Sequence, residues 1–387
     1  MIDLVIEQRR RDLGGGFPVL GLVINPVAGM GGRVGLKGSD GLSILNEAGR
    51  RGATPAAQDR ARAALDRLNP MSGFCVVTAS DGMGEAAARS ANLEVVVVHR
   101  TTGQMTSAFD TMAAAQAMVA ARADLILFVG GDGTARDVLA ATGGQVPMLG
   151  VPAGVKMHSA VFGTTPANAG HLATLFLDRS SRVRLRDAEV MDLDEDAIRA
   201  GRVSAHLYGY ARSPYERRLV QNAKAGSVPG EDEALDAAAR EVAARMKPGR
   251  LYMLGPGTTT RRVADALNIP STLLGVDAVL DGQAIGLDLD EQALLRAMDG
   301  REAELIVGVL GGQGSLFGRG NQQISANVIR RVGRQGIHVI STIQKLVALS
   351  TGALQVDTGD PETDAMLTGH LPVLTAPGRT TMVRVQA

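Results

Sequence analysis

From Val19 to Val151 the chain alternates short, unbroken apolar runs with stretches of helical character, and no other feature restricts the fold as much. Val19–Asn25, Phe74–Ala79, Leu93–His99, Asp124–Val129 and Val146–Val151 read as strands. Between them Pro55–Leu68, Gly84–Ala91, Thr106–Ala121 and the residues after Gly133 read as helices. A strand that is apolar at every position has no face to give to water, so both faces must be covered. Helices on both sides of a parallel sheet meet that demand, and the expectation is an α/β fold with an open, doubly wound sheet over the first 165 residues. Ligands of such sheets sit outside the carboxyl ends of the strands, near the point where strand order reverses. The glycine-rich segments after Asn25, Val129 and Val151 all fall at strand ends.

A single core stops growing near ~250–300 residues. At 387 residues the chain therefore predicts two domains, an α/β nucleotide-binding domain over 1–165 and a mixed α+β acceptor-binding domain over 166–387 whose last segment packs back on the first. A helix over Ala167–Leu177 is expected to lead out of the first domain. Arg182–Met191 and Val203–Ala211 interleave polar and apolar residues as half-exposed strands do, and Gln221–Gly230 reads as an exposed polar loop. Glu231–Met246 is a strongly amphipathic helix, after which Arg250–Leu254, Thr258–Leu267, Ser271–Val276, Glu291–Met298 and Glu304–Val309 alternate strand and helix. Beyond Val309 no element is assigned from sequence.

Lys plus Arg and Asp plus Glu balance at 40 each, so no overall field favours a polyanion. With no Trp, four Tyr and seven Phe, little is left to stack bases or to form an aromatic membrane belt. Nucleic acid and membrane are thus excluded as partners. Cys75 is the sole cysteine and has no disulfide mate. The N-terminus places its charges after a short apolar stretch, the reverse of a secretory signal, and the apolar runs fall well short of the ~20 residues that span a bilayer. The expectation is a cytoplasmic homo-oligomer acting on small-molecule nucleotides. No His, Cys or Glu cluster has the spacing of a structural metal site, and the Walker-type phosphate loop is missing.

The sharpest chemical signal is Gly130, Gly131, Asp132, Gly133 and Thr134, set between an apolar strand and a helix start. Glycines let the backbone approach a phosphate, and a helix start offers unpaired N–H groups with positive dipole character. A carboxylate among such amides repels an anion unless it has work to do. Asp132 could hold Mg²⁺ or accept the proton of an attacking hydroxyl, or serve only as a helix cap. The first loop, from Gly29 through Gly31, Gly32, Arg33 and Lys37 to Gly41, is dense in glycine and carries two cations, as a polyphosphate site would; a solvated loop is the competing account.

These residues carry a resemblance. Gly130 to Thr134 resembles the Gly-Gly-Asp-Gly-Thr signature of the NAD kinases and of the diacylglycerol and sphingosine kinases. Asn25, Pro26 and Gly29 resemble the Asn-Pro-x-x-Gly turn after the first strand of that superfamily, and Pro152 to Ala160 stands where the lipid kinases carry Pro-x-Gly-Thr-x-Asn-Asp. With Gly31 to Gly38 included, the chain is most similar to the ATP-NAD kinase-like group that contains the acetoin-catabolism AcoX proteins. The resemblance implies a Rossmann-like first domain of the NAD kinase type and ATP-dependent phosphoryl transfer with Mg²⁺ carried by the nucleotide. It implies Asp132 as catalytic base or metal-linked carboxylate, Gly131, Gly133 and Thr134 along the phosphates, and Asn25 bracing or touching the nucleotide. The third segment departs from the lipid kinases at Val155, Met157, His158 and Ser159. There Gly154, Lys156 and His158 remain phosphate-side candidates, with His158 either an acid/base group or a supporting hydrogen-bonded residue.

In the second half, Gly257, Thr258, Thr259 and Thr260 repeat the strand, glycine turn and helix arrangement, as a second phosphate site or as an ordinary cap. Arg319, Asn321 and Gln322 form a polar, glycine-flanked set suited to hydrogen-bonding the acceptor, NAD(H) or a related soluble metabolite. The Asn-Glu dipeptide that grips the dinucleotide in NAD kinases has no confident counterpart. The alternatives are a lipid kinase, for which no exposed basic amphipathic helix stands out, and a nucleotide-binding regulator with little turnover.

Overall fold

A computed structural model describes residues 17–32, 34–36, 42–68, 71, 73–101, 105–154, 157–193, 205–216, 219–220, 231–310, 314–349 and 351–387. The chain forms two compact units, one of Met1–Gly29 with Thr54–Ala223 and one of Met30–Ala53 with Lys224–Ala387.

The chain opens with β1 (Val19–Ile24), contributes α1 (Leu42–Arg50) to the second unit, and returns to the first with α2 (Ala57–Leu65), β2 (Cys75–Ala79), α3 (Glu85–Ser90) and β3 (Val95–His99). There follow α4 (Ala108–Ala120), β4 (Leu125–Gly130), α5 (Asp132–Thr142), β5 (Met148–Pro152), α6 (Pro166–Leu177), β6 (Arg184–Leu193) and β7 (Ala205–Tyr215). The five-stranded sheet is ordered β3-β2-β1-β4-β5 and is parallel throughout, the doubly wound sheet expected. Strand order reverses between β1 and β4, so the switch point lies where Asn25 and Gly131 leave the sheet.

The unbroken apolar runs are explained by two separate cores. Along β4, Ile126 and Phe128 enter a core with α4 and α5, while Leu125, Leu127 and Val129 enter another with α2, α3 and α6. Burial of each such side chain contributes about 1.5–3 kcal/mol. Phe128 meets Phe162 edge to face at 5.3 Å, under the switch point.

The first unit does not end at residue 165. Helix α6 lies on α2 so closely that a Cβ at Gly170 would stand 2.0 Å from the Ala64 carbonyl oxygen. The antiparallel β6–β7 hairpin brings Ala188, Val190 and Ala211 into the core beneath α5. The compact units therefore part at Ala223 and Lys224. The loop expected at Gln221–Gly230 lies outside the described residues.

The second unit continues with α7 (Glu231–Ala244), β8 (Leu251–Leu254), α8 (Thr258–Leu267), β9 (Asp277–Leu280), β10 (Gln283–Gly286), α9 (Glu291–Ala297) and β11 (Ala303–Gly308). It closes with β12 (Ser315–Phe317), α10 (Ala326–Val332), β13 (Ile337–Ile340), α11 (Ile343–Val347), β14 (Ala353–Val356), α12 (Pro361–Leu367), β15 (Gly369–Ala376) and β16 (Arg379–Gln386). One mixed nine-stranded sheet is ordered β10-β9-β8-β11-β13-β15-β16-β14-β12, with β8, β11, β13 and β15 parallel. The strand expected at Ser271–Val276 is absent. Asp277 instead draws that segment into a turn, accepting from the Thr272 backbone N–H (2.6 Å), the Thr272 hydroxyl (2.7 Å) and the Asp288 N–H (2.9 Å), and the strand starts at Asp277 itself. Strands β15 and β16 complete this unit's own sheet. Among the described residues no helix is long and apolar enough to cross a membrane.

Candidate functional site

Three glycine-bearing turns meet at the carboxyl ends of β1, β4 and β5. The first begins with Asn25, whose N–H donates to the Val129 carbonyl (2.9 Å) and whose side chain is occupied at both ends. Its Oδ1 accepts from the Val27 N–H (3.2 Å), and its Nδ2 donates to the Thr134 hydroxyl (3.2 Å). Asn25 thus braces the turn against α5. At its end Gly29 has φ +78°, and a Cβ there would lie 2.2 Å from the Ala153 carbonyl oxygen. Only glycine combines that left-handed backbone with that approach.

The second turn is Gly130 to Thr134. Gly131 caps α5 with no side chain to satisfy the first-turn amides, a helix start available to an anion. The Gly130 carbonyl accepts from the N–H groups of both Ala153 (3.0 Å) and Gly154 (3.1 Å), tying this turn to the third. Gly131 and Gly154 face each other across the junction, and a Cβ on Gly154 would stand 2.7 Å from the Gly131 Cα.

Asp132 is buried, 6% exposed, in the first turn of α5. Its Oδ2 accepts from the His158 N–H (2.7 Å), and its Oδ1 accepts from the Ser159 N–H (3.0 Å) and the Ser159 hydroxyl (2.6 Å). Hydrogen bonds to an ionised acceptor are roughly twice as strong as neutral ones, so this carboxylate fixes the third turn upon the second. The helix dipole stabilises a negative charge at this position.

Ser159 was not singled out as a site residue from sequence, yet it is fully buried and links Asp132 to β6 by accepting from the Met191 N–H (2.9 Å). The only sequence signal was its place in the segment that departs from the lipid kinases. The hairpin holds the same turn twice more: Ala160 N–H donates to the Glu189 carbonyl (2.7 Å), and Arg186 donates to the Ala160 carbonyl (3.1 Å). Burial pulls the pKa of Arg186 below the ordinary guanidinium value, and its cation lies 4.2 Å from the Tyr215 ring centre.

Of the other candidates, Gly133 is half-buried in the first turn of α5, and the Thr134 hydroxyl is the group that receives Asn25. Arg33, Lys37 and Lys156 lie outside the described residues. Gly31 and Gly32 belong to the second unit, where a Cβ at Gly32 would overlap the Gln322 carboxamide. In that unit Gly257 (φ +124°) caps α8, Thr258 is exposed and Thr259 packs on Gly308 of β11. Thr260 is buried with its hydroxyl donating to the Gly255 and Gly257 carbonyls, so it braces the turn. Asn321 is buried too; its Oδ1 accepts from the Gly318 N–H (3.1 Å) and its Nδ2 donates to the Leu316 carbonyl (2.8 Å). Gln322 is half-buried, and its Oε1 has no hydrogen-bond partner among the described residues.

The profile of the ATP-NAD kinase N-terminal domain matches residues 20–180, and that of the ATP-NAD kinase C-terminal domain matches residues 248–385. The chain belongs to the ATP-NAD kinase family. The N-terminal family match contains all three turns, and the C-terminal match contains the second sheet from β8 to β16 except for Gln386. The β6–β7 hairpin and α7 fall between the two family matches, so the grip on Ala160 comes from a part of the chain that neither describes. A comparison with curated proteins gave no match.

Among the described residues no group of three or more His, Cys, Asp and Glu side chains could hold a metal ion.

Proposed function

We propose that the protein is an ATP-dependent kinase, of the AcoX-type subgroup and cytoplasmic, which transfers a phosphoryl group to a hydroxyl of NAD(H) or a related soluble metabolite. The observation that carries this reading is the meeting of three glycine turns at the switch point, around an uncapped helix start and locked by Asp132. Phosphoryl transfer needs positioning, charge neutralisation and one proton acceptor. The first-turn amides of α5 supply donors for phosphate oxygens, and glycine at 131 and 154 lets the second and third turns pack backbone against backbone. Charge neutralisation on the phosphates would come from Mg²⁺ carried in on the nucleotide. The acceptor oxygen bonds to the γ-phosphorus as the bond to the departing ADP breaks, and the acceptor's proton passes to a base, the role we assign to Asp132. Arg319 and Gln322, with Gly257 to Thr259, are assigned to acceptor recognition.

The test is incubation of the protein with Mg²⁺ and ATP together with NAD⁺, NADH or a short-chain diacylglycerol, following which acceptor gains phosphate. Phosphorylated NAD⁺ or NADH is the expected product. Phosphorylated diacylglycerol would establish a lipid kinase, and saturable ATP binding without turnover on any acceptor would establish a regulator.

A further inference from the structure

A nucleotide whose phosphates lie at the start of α5 has its other end to place. On the β5 side the chain folds back over the sheet: Gly150 N–H donates to the Val161 carbonyl (2.8 Å) and Gly163 N–H to the Gly150 carbonyl (2.9 Å). Asp132 holds the 158–159 turn against the helix on that same side. The nucleoside therefore runs the other way, over the end of β1 to the end of β2. At the usual strand spacing β2 lies about 10 Å from β4, a distance that a triphosphate covers between its terminal phosphate and the ribose.

At the end of β2 stands a turn of 3₁₀ helix, Asp81–Met83. It borders the Asn25 turn: a Cβ on Gly82 would stand 3.7 Å from the Pro26 ring, and Gln58 of α2 fixes the turn by donating to the Gly82 carbonyl (2.6 Å). Most side chains here are committed to the protein. Ser80 is buried and its Oγ accepts from the Thr101 N–H (3.2 Å), Met83 lies in the core, and Glu85 accepts from Arg89 (3.0 Å) and from the Asp81 N–H (3.3 Å). Asp81 is exposed, and its carboxylate has no partner among the described residues. Its backbone is left-handed, φ +55°, a conformation uncommon outside glycine.

We propose that Asp81 binds the ribose hydroxyls of the phosphoryl donor and so makes the site selective for ribonucleoside triphosphates over their deoxy counterparts. The inference rests on the reading of the first unit as the nucleotide site. An ionised carboxylate only accepts hydrogen bonds and repels phosphate, so what it can take from a nucleotide is a donor. The donors nearest the phosphates are the 2′- and 3′-hydroxyls. The strand order β3-β2-β1-β4-β5 is that of the doubly wound dinucleotide-binding sheets, in which an acidic residue beyond the phosphate turn hydrogen-bonds the ribose. Here the phosphates lie across the switch point on β4, and the carboxylate that the topology offers to the ribose is Asp81.

Isothermal titration calorimetry of the full chain with Mg²⁺ and ATP, 2′-deoxyATP or 3′-deoxyATP tests this. The wild type is expected to bind ATP about tenfold more tightly than at least one deoxy analogue. Asp81→Gly and Asp81→Asn both accommodate a left-handed backbone, so the turn is kept. Asp81→Gly is expected to bind ATP about tenfold more weakly than the wild type and no more tightly than the deoxy analogues, and Asp81→Asn, which keeps one acceptor oxygen, to fall between. A wild type that binds ATP and both analogues alike, or an Asp81→Gly variant that discriminates as the wild type does, would overturn the role of Asp81 and leave the nucleotide site standing. A wild type that binds no ATP would overturn the nucleotide reading, and the role of Asp81 with it.

Discussion

Asp132 carries three donors from the 158–159 turn on its carboxylate, which gives substitution there two separable consequences. In Asp132→Asn one oxygen becomes an NH₂ that faces a backbone donor, and we expect a stability loss of about 1–3 kcal/mol. If Asp132 also takes the acceptor's proton, the same variant loses about 10²-fold or more in kcat. Ser159→Ala separates the two, because it removes one donor and keeps the base: kcat within about tenfold of wild type supports proton acceptance, and a loss matching Asp132→Asn shows that turn geometry alone was at stake. Gly154→Ala should be worse for folding than for composition, since its Cβ would stand 2.7 Å from the Gly131 Cα; a loss of about 1–3 kcal/mol in urea denaturation is expected. The Asp132 motif was legible because strand, glycines and helix start are contiguous. The bonds of the Thr134 and Thr260 hydroxyls to Asn25 and to the Gly255 carbonyl were not legible, because whether a threonine faces a neighbouring turn depends on residues that sequence does not place beside it.

At the level of elements, the five strands of the first sheet could be read from unbroken apolar runs, since burial on both faces leaves a strong pattern. The grip of the β6–β7 hairpin on the site could not. It rests on backbone bonds such as Ala160 to Glu189, which carry no side-chain signature. Arg186 is the exception, and Arg186→Ala, which removes both a hydrogen bond to the Ala160 carbonyl and a contact with Tyr215, should raise KM for ATP while lowering stability by about 1–2 kcal/mol. Steady-state kinetics beside thermal melts would show both or refute the link. The opposite balance is expected in the loop after β12. Gln322 Oε1 is buried without a partner among the described residues, a cost that removal relieves, so Gln322→Ala should change stability by less than about 0.5 kcal/mol yet raise KM for the acceptor. An unaltered acceptor KM would remove Gln322 from recognition.

Over the whole molecule, length predicted two domains, but the path of the chain between the two compact units could not be read from it. Residues 30–53 join the second unit although first-unit chain lies on both sides of them. The seat of Gly32 against Gln322 spans too much sequence to be inferred from pattern. A fragment of residues 224–387 is therefore expected to melt at a lower temperature than the same fragment with residues 30–53 fused to it; equal melting would show that the segment contributes nothing to that unit.

The interleaving also sets an order of events at the ribosome. Residues 30–53 leave the exit tunnel early, whereas Gln322 emerges some tens of seconds later at about 5–20 residues per second. For that interval β1 and the elements after Thr54 can assemble the first sheet while the segment between them waits for a partner not yet synthesised. Chaperones and proteases would meet this stretch on the nascent chain.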